Sequence, residues 1–186
     1  MIFDATDLKR GISVIICCYN SAEKVLPTLR ALSEQHLSVE IPYEIILVDN
    51  ACTDATVSIA QNQWQHFGAP FPLRVEEELR PGQAFARIKG LKAATYAITI
   101  FCDDDNWLAP DYLLVAERIM FEHPEIGILG GYSTPVSDQP LPPWFTTNQA
   151  FYAVGVPALF PGDITGKGLI WGAGMVLRTA IYHHLV

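Results

Sequence analysis

A chain of 186 residues, 50% hydrophobic and 17% charged, has the composition of one folded domain with a sizeable core and excludes a disordered chain. Its net charge of −8 excludes a general nucleic-acid surface, which needs clustered cations, and argues against electrostatic adhesion to anionic lipid. No apolar run approaches the roughly 20 residues that span a bilayer, and residues 1–11 carry Asp4, Asp7, Lys9 and Arg10 instead of an apolar signal core.

Residues 11–19 (GISVIICCY) form a near-continuous apolar run, the signature of a strand covered on both faces. Asn20-Ser21 offers an N-cap to a helix over 22–35, with Val25, Leu29 and Leu32 at helical spacing and Pro27 early enough to be tolerated. A second strand over 43–48 ends in Asp49-Asn50, and Asp54 can cap a helix over 55–66 in which Trp64 packs inward. Residues 72–78 alternate with charge, as a more exposed strand does. After the turn at Arg80-Pro81-Gly82, residues 83–94 predict a helix with Phe85, Ile88 and Leu91 inward.

The fourth strand begins at Tyr96 and runs into Asp103-Asp104-Asp105. A helix over 111–123 follows, with Leu114, Ile119 and Met120 available to the core, then a strand over 126–129 closed by Gly130-Gly131. The order β-α-β-α-β-α-β-α-β predicts an α/β fold with a mostly parallel sheet and helices on both faces. Residues 134–168 are rich in proline and aromatics and lack periodicity, as a functional or mobile segment does. Regular structure is expected again over 169–177, and a helix over 179–186. Cys17, Cys18, Cys52 and Cys102 form no CxxC pair, so zinc is not expected, and buried reduced thiols point to the cytoplasm.

The triple aspartate is the centre of the functional reading. Adjacent carboxylates at the end of a buried strand repel one another, and a cation that neutralises them explains the cluster. Along an extended chain Asp103 and Asp105 lean the same way and Asp104 the other. Two oxygens aimed at one point, with water and phosphate completing the shell, suit Mg²⁺ or Mn²⁺. The plainer alternative is an acidic loop that caps the helix starting near Asp111. Ligands of open parallel sheets bind at the carboxyl ends of the strands, here Tyr19-Asn20, Asp49-Asn50 and residues 103–106. No GxGxxG and no P-loop follows the first strand.

Several stretches, taken together, resemble family 2 glycosyltransferases of the GT-A fold. SVIICCYNSAEKVLPTLRAL is similar to that family's opening strand and helix, EIILVDNACTDAT to its second-strand motif, and RPGQAFARIKGLKAA to its glycine–ARN–glycine helix. ITIFCDDDNWLAPDYL resembles its DxD segment and WGAGMVLRTAIYHHL its acceptor-side segment. The chain departs from the family pattern at Cys17-Cys18, at Asn50 in place of a second aspartate, and at Ile88 in place of the ARN asparagine.

The resemblance implies one domain, with residues 1–133 as the nucleotide-sugar-binding half and 134–186 as loop and acceptor-side segment. It implies an inverting, metal-dependent transfer from a nucleotide-diphosphate sugar, with UDP the usual nucleotide, to a glycan or lipid-linked glycan. The expected setting is the cytoplasm, with peripheral association at the inner face of the membrane compatible with such an acceptor. Asp49 would accept the uracil N–H, where its plain role is to cap the next turn. Cys17 would meet the base through its backbone and Tyr19 would stack on it. Asp104 would accept a ribose hydroxyl, Asp105 would hold the metal, and Asp103 would serve either purpose. Trp171 would stack on a sugar ring.

Arg80 and Arg87 can reach a phosphate, although exposed arginines commonly face solvent. His183 and His184 are about 100° apart on a helix and suit a surface better than a shared ion. The family's general base is expected beyond Val186; Asp138 and Asp163 do not sit in its motif. A nucleotide-sugar-binding domain without turnover and a non-catalytic α/β interaction module are the alternatives.

Overall fold

The computed structural model describes residues 8–36, 41–155, 162–166 and 168–185. Strand β1 (Lys9–Cys18) is the centre of the sheet because its side chains are apolar on both faces. Ile12, Val14, Ile16 and Cys18 enter one core layer and Ile15 enters the other, all with no exposure. Period-two alternation therefore feeds two cores from one strand. Strand β2 (Tyr43–Asp49) does the same, with Ile45 and Leu47 on the first face and Ile46 and Val48 on the second.

Helices α1 (Val25–Ser33) and α2 (Thr56–His66) cover the first face. Val25, Leu29 and Leu32 are fully buried there, and Trp64 is 1% exposed with its indole N–H donating to the Phe71 carbonyl at 2.9 Å. Strand β3 (Leu73–Glu77) is the half-exposed edge that its charge alternation predicts. Helix α3 (Gln83–Ala93) packs on the second face, and strand β4 (Tyr96–Asp103) lies beside β1. Helix α4 (Tyr112–Glu122), strand β5 (Ile128–Leu129), the short helix α5 (Phe145–Asn148), a 3₁₀ turn (Gln149–Tyr152), strand β6 (Val176–Arg178) and helix α6 (Thr179–Leu185) complete the chain.

The sheet order is β3-β2-β1-β4-β6-β5. β3, β2, β1 and β4 are parallel, and β6 runs antiparallel to both β4 and β5. The expected α/β architecture with a mostly parallel sheet is the observed one. Three local expectations are corrected. Phe85 is 39% exposed, because α3 meets the sheet along Ala86 and Gly90, where a β-carbon on Gly90 would fall 2.4 Å from Ile15 Cγ2. A residue one position from that line points about 100° away from it. Leu113, not Leu114, is the buried leucine of α4. Regular structure over 169–177 shrinks to its last two residues, because a turn at 172–174, with Gly174 at φ +75°, precedes β6.

Among the described residues no helix is long and apolar enough to cross a membrane. Trp144, Phe151 and Tyr152 of the irregular segment are exposed. The side chains of His183 and His184 lie outside the described residues, as does Val186.

Candidate functional site

Strand register decides where the polar strand ends meet. Cys17 of β1 is opposite Asp103 of β4, and Cys18 is opposite Asp49 of β2, so the three carboxyl ends form one edge. A cleft of about 520 Å³ opens on that edge, lined by Cys17, Cys18, Tyr19, Asn50, Asp104, the Pro81-Gly82 turn, and Gln83 and Ala86 of α3. A larger depression of about 720 Å³ lies between α2 and β3, and no expected site residue lines it.

The aspartates differ in their surroundings. Asp103 ends β4, and the chain then turns, with the Asn106 N–H donating to the Asp103 carbonyl at 3.1 Å. The alternation that pairs Asp103 with Asp105 therefore stops at Asp103. Its Oδ1 accepts from Arg87 Nη2 at 3.4 Å and Gln83 Nε2 at 3.5 Å. Burial pushes the Asp103 carboxyl up; Arg87 opposes the rise without cancelling it, and Asp105 and Asp104 add to it. Asp104 accepts the Ser21 hydroxyl on Oδ2, and its carbonyl accepts the Thr28 hydroxyl at 2.9 Å. Asp105 is exposed and, among the described residues, makes no hydrogen bond or ion pair.

The alternative of a helix cap finds no support: the first turn of α4 is held by Gln35, whose Oε1 accepts the Leu113 N–H at 3.1 Å, and not by an aspartate of the triple run. The residues leave room for a hard divalent cation: an unpartnered carboxylate on Asp105 near the Asp103 carboxyl, whose charge is disfavoured. Among the described residues no group of three or more His, Cys, Asp or Glu is placed to hold a metal ion. An ion at this edge would therefore need most of its shell from phosphate and water.

Asp49 uses Oδ1 to cap the following turn, accepting the Cys52 N–H at 2.9 Å, and the Cys52 thiol lies beside the same carboxylate. Tyr19 is 59% exposed at the cleft wall, as a stacking residue would be. Trp171 is half-buried next to Gly172 and is not among the residues lining the cleft. Arg80 is bidentate to Glu78 at 2.8 and 2.9 Å and stands over the Phe85 ring. Arg87 reaches from α3 to Asp103 with its guanidinium over the Phe101 ring, and its Nε is buried without a hydrogen-bond partner.

Sequence reasoning missed two supports of this edge. Asn50 is 3% exposed; its amide donates to the carbonyls of Glu78 and Arg80 at 3.0 and 2.7 Å, and its Oδ1 accepts the Gly82 N–H at 2.8 Å. An aspartate could accept the last of these bonds but donate neither of the others, so the departure from the two-aspartate motif has a structural cause. Ser21, expected as an N-cap, gives its hydroxyl to Asp104 instead, and only its carbonyl serves the start of the helix, accepting from the N–H groups of Lys24 and Val25. The signal for Asn50 was its two donors beside a loop that needed closing; nothing in the sequence tied Ser21 to a residue 83 positions away.

An open, largely parallel sheet with carboxylates at its strand ends, and no glycine-rich loop after β1, is the architecture of the GT-A class. The chain belongs to glycosyl transferase family 2, whose family model matches residues 13–161.

The chain is 38% identical over 110 residues to the uncharacterized glycosyltransferase YfnE of Bacillus subtilis, covering 58% of this chain and 26% of that protein. It is 30% identical over 122 residues to the poly-beta-1,6-N-acetyl-D-glucosamine synthase of Staphylococcus epidermidis, covering 65% of this chain and 28% of that one. Two solved structures share the fold. S. aureus TarS in complex with UDP has a TM-score of 0.68 at 22% identity, covering 94% of this chain and 48% of that one. The mannosyltransferase PcManGT from Pyrobaculum calidifontis, in complex with GDP-Man and Mn²⁺, has a TM-score of 0.69 at 23% identity, covering 96% and 49%. The chain thus spans about a quarter of the curated relatives and about half of the solved structures.

Proposed function

We propose that the cleft binds the nucleotide diphosphate of a sugar donor, with UDP as its nucleotide, and that the domain serves inverting, metal-dependent transfer of the sugar to a glycan or glycoconjugate. The observation that carries this reading is Asp105: an exposed carboxylate with no partner, beside Asp104 and the charge-disfavoured Asp103, at the aligned ends of three parallel strands. The TarS–UDP structure and the PcManGT complex with GDP-Man and Mn²⁺ share this fold and support a nucleotide and a divalent cation here.

Each residue has a separate task in this reading. Asp49 accepts the base N–H, and its charge strengthens that bond. Tyr19 stacks on the base, and the Cys17 backbone forms the floor beneath it. Asp104 Oδ1 accepts a ribose hydroxyl. Asp105 holds Mn²⁺ or Mg²⁺, with Asp103 able to join once Arg87 is displaced. When bound, the ion supplies charge neutralisation for the departing nucleoside diphosphate. Trp171 offers an aromatic face to a sugar ring. The acceptor hydroxyl needs a general base, which this reading expects outside the described residues. Such an acceptor places the protein in the cytoplasm or at the inner face of the membrane.

Calorimetric titration of UDP with and without Mn²⁺, repeated on Asp105→Ala, tests the donor site. Metal-dependent binding that disappears in the variant is the expected result. Equal binding by the variant would remove Asp105 from the site, and no binding of UDP or GDP by the wild type would end the reading. UDP release from a UDP-sugar then separates a transferase from a donor-binding domain without turnover.

A further inference from the structure

Two hydroxyl groups, those of Ser21 and Thr56, are fully buried where the loop leaving β1 meets the loop leaving β2. Each has a single proton, and its surroundings fix where that proton goes. Thr56 Oγ1 accepts from the Ser21 N–H at 2.7 Å and donates to Asp54 Oδ1. Ser21 Oγ accepts from the Tyr19 N–H at 3.1 Å and donates to Asp104 Oδ2. Asp54 Oδ2 closes the loop by accepting the Ala22 N–H at 3.1 Å. Ionised carboxylates only accept, so the two hydroxyls cannot reverse direction.

Asp104 is therefore held twice. Thr28 fixes its backbone carbonyl at 2.9 Å and Ser21 fixes one carboxylate oxygen. The other oxygen, Oδ1, has no partner among the described residues, and Asp104 lines the cleft. A bond from a neutral hydroxyl to a carboxylate is strong and directional, and here it sets the side-chain torsion of a residue that follows the last strand position. We propose that Ser21, itself held by Thr56, is a positioning residue that turns the Asp104 carboxylate toward the ribose hydroxyls of the donor nucleotide. The proposal rests on the donor-site reading above. It adds that the β1 loop orients the acidic edge, so that nucleotide affinity depends on a hydroxyl that itself never touches the nucleotide.

The test titrates UDP, and the dideoxyribose analogue of UDP that lacks both ribose hydroxyls, into wild type, Ser21→Ala, Thr56→Val and Thr56→Ser, all with Mn²⁺. Ser21→Ala should weaken UDP by about tenfold, the size expected for one hydrogen bond to a charged group. Thr56→Val should weaken UDP by a smaller factor, and Thr56→Ser should restore it. The dideoxy analogue should bind wild type and Ser21→Ala equally well. Equal losses for both ligands would show that Ser21 supports the fold alone and would overturn the proposal, as would an unchanged UDP affinity. Should Ser21→Ala fail to fold, the two Thr56 variants carry the same comparison. A wild type that binds neither UDP nor GDP overturns the donor-site reading itself, a different result from a wild type that binds and a variant that binds equally.

Discussion

Arg87 Nη2 lies 3.4 Å from Asp103 Oδ1 and would lie 2.2 Å from a β-carbon at position 172. Gly172 thus gives the guanidinium the room to reach Asp103, so the turn before β6 meets the acidic edge at this arginine. The same contact makes Arg87 the competitor of any cation for Asp103. In Arg87→Met the carboxylate loses its partner, so Mn²⁺ titrated alone should bind several-fold more tightly than to wild type. Unchanged or weaker Mn²⁺ binding would leave Asp105 to hold the ion without Asp103.

Gly90 and Gly172 are both crowded, but by different neighbours. At Gly90 the obstacle is Ile15, fully buried in the second core, and Gly90→Ala should cost about 1–3 kcal/mol as overpacking does. At Gly172 the obstacle is the tip of a long side chain, and Gly172→Ala should cost less than about 1 kcal/mol while displacing Arg87 from Asp103. Urea unfolding of the two variants checks the contrast, and a larger loss at 172 than at 90 would mean that Arg87 is rigidly held.

The strands at the centre of the sheet were legible because nothing else in a sequence looks like GISVIICC or YEIILV: continuous apolar runs need cover on both faces. Polar strand ends were legible for the same reason, as abrupt interruptions of those runs. What could not be read was which face of α3 lies inward, since a glycine at 90 marks the contact line more strongly than the larger Phe85. Hydrophobic size was a poor guide where the helix approaches closely. The insertion of β6 between β4 and β5 was equally hidden, because three residues of strand leave no periodic signal. At the acidic edge the carboxylates stand side by side in the sequence, but the Ser21 hydroxyl bonded to Asp104 and the Asn50 amide that closes the neighbouring turn are long-range contacts, and only the fold brings those together.

Asn50 ties the end of β2 to the turn before α3 with all three of its side-chain bonds. Asn50→Asp, a change toward the family pattern, replaces the amide donor with a charged acceptor facing two carbonyl oxygens. The expected cost is about 2–3 kcal/mol, since a buried group loses two partners and gains repulsion. In a chain of this size that corresponds to a fall in Tm of about 6 °C. Thermal unfolding checks it, and a stabilised variant would show that the turn rearranges to donate to the new carboxylate.

Glu44 lies at the opposite end of the sheet, 4% exposed. It accepts from the Ser13 hydroxyl at 2.7 Å, the Thr95 N–H at 2.8 Å and Arg74 at 2.8 and 3.1 Å. Burial pushes its carboxyl up, but the bonds from Ser13, Thr95 and Arg74 outweigh that and hold it below the ordinary 4.5. A carboxyl with a depressed folded pKa stabilises the protein fully above its unfolded value and loses that contribution as pH falls through the folded one. Glu44→Gln keeps the shape and removes the charge. The variant should be less stable than wild type by about 2 kcal/mol at pH 7, and the gap should narrow as the pH drops below 4.5. Chemical denaturation across that range measures the gap directly. A gap that stays constant would assign the stabilisation to hydrogen bonds that glutamine cannot make in either protonation state of the wild type, and not to the carboxylate charge.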